Sequence, residues 1–223
     1  IGMVLMNHGI FSFGQTAKES YWRMIDLVGL AEEHLKRNKA WDIRWNSVES
    51  PKKNVCLNLA RLRKDISDVA GFPVVMARRT DKQSLAFAGR DDISIISQQG
   101  PATPDHVIRT KRLPMLGRDV KAYADYRKYF SAQNLLPNEL KTMLDVAPRI
   151  ILDPELGMCT VGKTARDANV VAEIYSHTTE VIVRATLLGG YRALPEKDIF
   201  DVEYWDLEQA KLIKGGNPAM FTG

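Results

Sequence analysis

The sequence predicts an α/β fold built in layers, a mainly antiparallel sheet flanked by helices. Two observations predict it. Short apolar runs come in pairs across tight turns and lead into long helices with a single apolar stripe, the pattern of hairpins covered by helices. One such unit of strand, turn, strand and helix then recurs 148 positions further along.

In the first unit, residues 3–6 read as a short apolar strand, Asn7-His8-Gly9 as a turn and residues 10–13 as a second strand, with Gly14 breaking the pattern. A helix starts at Thr16. Its T-x-x-E pattern with Glu19 lets the hydroxyl accept an unpaired backbone N–H while the carboxylate reaches back to the cap. Ala17, Tyr21, Met24, Val28, Ala31 and Leu35 follow at helical spacing and give one stripe to lay on a sheet. The composition turns polar over 37–54, Ser50-Pro51 marks a boundary, and a helix is expected over about 52–69. Beyond it, "FPVVMARRTDKQSLAFAG" predicts two strands around a polar turn at 80–83, and "ISIIS" a third. "GPATPDHVIRTKRLP" reads as a loop-rich passage and residues 119–132 as a helix.

In the recurrence, "HGIFSFGQTAKES" lies on "LGMCTVGKTARDA". Gly9 meets Gly157 and Gly14 meets Gly162, two glycines serving a backbone turn and a strand-to-helix break. Thr16 and Ala17 meet Thr164 and Ala165, Lys18 and Glu19 meet Arg166 and Asp167, and Glu32 meets Glu180. His8 is opposed by Leu156, so the second unit reads as a degenerate copy that lacks the imidazole. Residues 1–49 are therefore expected to close one domain, 50–212 to form a degenerate second one, and 213–223 to be a linker.

Length and composition bound the function. A chain of 223 residues, 45% hydrophobic and 26% charged, is ordinarily globular and can bury a sizeable core. No apolar run approaches the roughly 20 residues that span a bilayer, and the first residues lack a basic region and a cleavage site. A soluble, unexported, cytoplasmic protein without a membrane partner is expected. The chain opens on Ile1 in what reads as a core strand, as a piece of a longer protein would. Cys56 and Cys159 are far apart without a C-x-x-C pattern and read as reduced thiols. The net charge of +4 suits an anionic, phosphorylated metabolite, while the interrupted basic residues argue against nucleic acid.

Four histidines are candidates for chemistry. His8 sits in a tight turn between two strands, where it could be a metal ligand or hydrogen-bonded scaffold. His106, Arg109 and Lys111 share one loop that could contact a phosphorylated substrate, Arg as a fork and Lys as a point charge. His34 reads as part of a solvated helix face. His177, with Glu173 and Glu180 at helical spacing, has the form of a metal half-site, though such spacing is commoner in surface charge pairs. Tyr204, Trp205, Leu207 and Leu212 read as packing or interdomain residues.

"LMNHGIFSFGQTAKESYWRMIDLVGLAEEHL" resembles the class II aldolase/adducin family, whose late motif is a strand, a histidine-glycine turn, a further glycine and a long helix. The resemblance implies that His8 is one of three ligands to a catalytic zinc. The other two, in an H-x-H motif, and the catalytic glutamate would lie upstream of this sequence. "SQQGPATPDHVIRTKRLP" and "RALPEKDIFDVEYWDLEQAKL" are similar to the middle region of bifunctional rhamnulose-1-phosphate aldolase/short-chain dehydrogenase proteins, and "GGNPAMFTG" to the linker entering the dehydrogenase. This implies cleavage of rhamnulose 1-phosphate or a related sugar phosphate into dihydroxyacetone phosphate and an aldehyde, which a dehydrogenase domain fused in cis oxidises with NAD(P). No G-x-G-x-x-G follows a strand here, so that cofactor site is expected elsewhere in the protein. A homo-oligomer is expected, and the segment by itself is expected to be inactive. The rival reading is a non-catalytic assembly module on the same fold.

Overall fold

The structure, a computed structural model, describes residues 2–6, 8–46, 55–135 and 141–214. An N-terminal hairpin, β1 (Gly2–Leu5) and β2 (Gly9–Ser12), is followed by helix α1 (Ala17–Arg37). After α2 (Cys56–Ala70) come β3 (Val75–Arg79), α3 (Lys82–Ala88) and the short turns α4 (Ile93–Ile96) and α5 (Val107–Thr110). Then follow β4 (Met115–Leu116), α6 (Asp125–Gln133), β5 (Ile150–Asp153), β6 (Gly157–Gly162), α7 (Ala165–Leu187), α8 (Glu196–Glu203) and α9 (Asp206–Lys214). Among the described residues no helix is long and apolar enough to cross a membrane.

The larger sheet runs β3-β6-β5-β4, antiparallel except for the parallel pairing of β4 with β5. Both central strands are buried along their whole length, because a helix covers each face. Side chains alternate across a strand, so Ile151, Cys159 and Val161 meet Leu62 and Ile66 of α2. Ile150, Leu152 and Met158 point the other way, to Val171, Ala172, Tyr175 and Ile182 of α7. Cover on two faces explains why β5 and β6 are mostly apolar, with Asp153 tied at the turn and the buried Thr160 hydroxyl donating to the Ala168 carbonyl at 2.8 Å. Tyr126, Tyr129, Phe130, Phe200 and Tyr204 form a separate aromatic cluster between α6 and α8.

The two hairpins share one register at the 148-residue offset. Gly2 faces Ser12 and Leu5 faces Gly9 in the first, as Ile150 faces Thr160 and Asp153 faces Gly157 in the second. Helix α1 is capped by Thr16, whose hydroxyl accepts the Glu19 N–H at 3.1 Å, and α7 by Thr164 in a full capping box with Asp167. In α1 the Glu19 carboxylate instead accepts the Gln15 N–H at 2.8 Å. The breaking glycines are explained by close approach. A Cβ on Gly162 would stand 2.5 Å from the Ala168 nitrogen, and one on Gly14 2.9 Å from the Ser20 nitrogen, at matching places in the two units. The units differ in cover. Nothing in α1 is buried, and Met3, Leu5 and Phe11, on the hairpin face turned away from α1, are exposed. The join to the second unit runs through Trp41, which lies under the Lys36 ammonium and the Arg184 guanidinium.

The α/β class and the layered sheet agree with the sequence reading, while several elements differ. Residues 82–88 form a helix where a strand is predicted, because Asp81 caps it, accepting the Ser84 N–H and hydroxyl at 2.9 Å each. "ISIIS" makes a helical turn, in which Ile93 and Ile96 pack against the core while Ile95 faces solvent. The loop-rich passage contains α5, and the helix predicted over 119–132 starts later, at Asp125. Glu180 pairs with Arg184 at 2.7 Å, a charge pair of the kind its helical spacing suits. The Ser50-Pro51 boundary, most of the linker at 213–223 and the Leu212 side chain lie outside the described residues. Tyr204 is buried as expected of a packing residue, whereas Trp205 and Leu207 are exposed.

Candidate functional site

His8 stands at the tip of the first hairpin. Its N–H donates to the Leu5 carbonyl at 3.1 Å, and its exposed ring stacks on Phe11 with centroids 5.6 Å apart. The imidazole is thus presented at the surface on a strand-anchored turn. A zinc centre of the catalytic kind takes three protein ligands and an open position. Among the described residues no group of three His, Cys, Asp or Glu side chains could hold a metal. The described residues therefore hold no complete ligand set, and a zinc at His8 would need further donors beside this ring.

At the matching tip of the second hairpin stands Leu156, fully buried against the α2 layer. Two arginines tie that turn down. Arg118 forks onto Asp153 with two bonds of 2.8 Å, and Arg78 donates to the Leu156 and Glu155 carbonyls at 2.9 and 3.2 Å. One oxygen of Asp153 also accepts the N–H groups of Glu155 and Leu156, each at 2.9 Å. Burial opposes the Asp153 charge, but the Arg118 fork and these two N–H groups outweigh it and hold the carboxyl below its usual range.

His106, Arg109 and Lys111 are neighbours in sequence but do not share one surface. His106 is half-buried with no partner for Nδ1, and burial lowers its pKa, with Asp105 opposing and His177 adding to the effect. Arg109 is half-buried on α5. Lys111 turns inward with a left-handed backbone (φ 62°). Its ammonium donates to the Asp145 carbonyl at 3.0 Å and lies 4.9 Å from the Tyr126 ring centroid.

Around Lys111 lies a buried charge cluster that sequence reasoning missed. Arg149 forks onto the Asp145 carboxylate, and Glu203, fully buried, accepts from the Tyr126 hydroxyl and keeps one oxygen unpartnered. Only Tyr204, next to Glu203, carries a signal, as an aromatic in an acidic stretch. Burial pushes the Lys111 ammonium down to about 8, with Arg149 adding and Asp145 and Glu203 opposing. A lysine whose folded pKa lies below its unfolded value costs stability at every pH below the folded pKa, and the cost fades as pH rises toward the unfolded one. Wild-type stability, measured against Lys111→Met by urea unfolding, is therefore expected to rise by about 1–3 kcal/mol between pH 8 and 10. A pH-independent difference would mean that Lys111 titrates normally in the fold.

Beside the cluster opens a cavity of about 220 Å³, walled by the rings of Tyr123, Tyr126 and Tyr129 and by Arg112, Gln98 and Asp119. Arg112 is committed elsewhere. It pairs with Glu196 at 2.6 Å and stacks on Tyr129, so it offers little charge to a ligand.

A family model described as aldolase class II, second domain, matches residues 54–212. The chain belongs to that family. A curated relative, the uncharacterized oxidoreductase YuxG of Bacillus subtilis (strain 168), is 27% identical over 250 residues. The similarity covers 99% of this chain and 35% of that protein, so the chain spans about a third of the relative's length. No solved structure matches. The aldolase second domain, so bounded, contains the four-stranded sheet, the buried charge cluster, the tyrosine-walled cavity and the segment with His106, Arg109 and Lys111. His8 and its hairpin precede the matched span.

Proposed function

We propose that this chain is the central stretch of a zinc-dependent sugar-phosphate aldolase fused to a short-chain dehydrogenase. Rhamnulose 1-phosphate or a closely related ketose phosphate would be its substrate. Family membership over 54–212 carries the reading, and the oxidoreductase name of a relative that extends well beyond the shared region supports the fusion. In this reading residues 1–49 end the catalytic domain, 50–212 form a degenerate second copy, and 213–223 lead toward the dehydrogenase, which would hold the NAD(P). The common hairpin register, the paired threonine caps and the matched glycine approaches support the copying.

His8 would give its imidazole to a zinc whose other ligands come from outside this chain, and the metal would supply Lewis-acid stabilisation of an enediolate. The hairpin's part is to hold the ring out on a short turn between paired strands, with Phe11 supporting one face. In the polypeptide that carries this segment with its flanking regions, His8→Ala is expected to weaken zinc retention roughly 10²-fold or more and to abolish aldol cleavage. The 223-residue chain alone is expected to cleave no ketose phosphate. Equal zinc in wild type and His8→Ala would take His8 off the metal. The non-catalytic assembly module would then stand, a reading that the exposed apolar surface of the first unit favours.

A further inference from the structure

The cavity beside the charge cluster has walls of one chemical kind. Tyr123, Tyr126 and Tyr129 recur every three residues, which puts them on one face of α6 and of the turn that leads into it. Their hydroxyls are spent within the chain. Tyr123 donates to the Leu113 carbonyl at 2.6 Å, Tyr129 to the Glu196 carbonyl at 3.2 Å, and Tyr126 to the Glu203 carboxylate. What remains for a ligand is ring surface, continued by Met115 and Leu116 of β4. An apolar cavity of roughly 150 Å³ already admits benzene, so the 220 Å³ here has room for a substituted ring. Tyrosine faces suit a flat aromatic partner.

The side-chain polar atoms left open around that surface are acceptors. The Gln98 amide donates to the Ser97 hydroxyl at 3.2 Å and the Pro114 carbonyl at 3.1 Å, which leaves its oxygen without a partner among the described residues. Asp119 gives one oxygen to the backbone N–H groups of Lys121 and Ala122 and keeps the other open. Asp125 gives one oxygen to Lys128, in a pair exposed enough to hold it only weakly. Arg112 is the basic residue of the wall, and its guanidinium is matched by the Glu196 carboxylate and laid on the Tyr129 ring. An entering anion would meet two carboxylates and a cation already neutralised.

We propose that this cavity is a binding site for a flat aromatic ligand bearing N–H donors, of the amidine or amino-heterocycle class. The ring lies against the tyrosines, and its N–H groups donate to the Gln98 amide oxygen and to the open oxygen of Asp119. A phosphorylated sugar carries the wrong charge for it. The site is therefore distinct from one that would take a ketose phosphate. It does not rest on the aldolase reading, and neither zinc nor cleavage activity enters its test.

Benzamidine is the probe and benzoate its anionic counterpart of the same shape, each titrated into the nitrogen-15-labelled 223-residue chain while backbone amide shifts are followed by NMR. Benzamidine is expected to bind with a Kd of roughly 1 mM or tighter, shifting amides within 112–116 and 119–129, and benzoate to bind at least about tenfold more weakly. Asp119→Asn keeps the oxygen that accepts from the turn and replaces the open one, and it should weaken benzamidine roughly tenfold. Ala122→Trp fills the mouth from an exposed position and should abolish binding, with helix content unchanged by circular dichroism. Benzoate binding as tightly as benzamidine would overturn the proposal. So would benzamidine affinity that Asp119→Asn and Ala122→Trp leave intact, shifts clustered away from these residues, or no shifts at about 10 mM benzamidine.

Discussion

Gly157→Ala is expected to destabilise the chain by about 3–5 kcal/mol, near the upper end for a change of one methyl group. Two costs coincide. The backbone there is left-handed, with φ of 76°, a conformation in which a Cβ crowds the following carbonyl. The added Cβ would also stand 2.5 Å from the Arg79 carbonyl oxygen, a backbone atom of the neighbouring strand that cannot turn aside. Either β6 separates from β3, breaking a ladder that runs from Val75 to Arg79, or the turn unwinds. Urea unfolding followed by circular dichroism measures the loss. A change under about 1 kcal/mol would show that the hairpin relaxes freely, contrary to its burial.

Asp153→Ala is expected to cost about 2–3 kcal/mol, because it leaves two turn N–H groups without their acceptor and takes the forked partner from Arg118, which keeps Glu155 at 2.7 Å. Asp153→Asn should cost less, since an amide oxygen still accepts the Glu155 and Leu156 N–H groups while only the negative charge facing Arg118 is lost. The pH dependence has a definite sign. The folded pKa of Asp153 lies below its unfolded value, so its stabilisation is complete above the unfolded value and is lost as pH falls through the folded one. Wild type and Asp153→Asn should therefore converge in stability on acidification below about pH 4. A gap that persists undiminished at pH 2 would assign the effect to packing instead of charge.

What could be read in the sequence follows from the range of the forces involved. Hairpins, capped helices and the recurring unit were legible because turns, caps and strand-to-helix breaks are set within about five residues, as Thr164 with Asp167 and Gly162 with Ala168 illustrate. The helix at 82–88 carried a legible cap in Asp81 and Ser84, but its apolar residues also suit a strand, and burial against the sheet decides between them. The charge cluster was not legible. Lys111, Asp145 and Glu203 are brought together by packing of α5, α6 and α8, and nothing in the local pattern marks a lysine as buried. His8 was legible as a turn residue, and the structure adds its exposure and its Phe11 support.

The burial of Leu156 bears on how such a fold can change over generations. A histidine substituted there would sit dry under α2, its ring nitrogens facing aliphatic carbon, and the cost of stripping water from them would be felt before any benefit arose. Of the two hairpin tips, that of the second is committed to the layer above it, and the one at His8 meets solvent, where a polar ring carries no such cost.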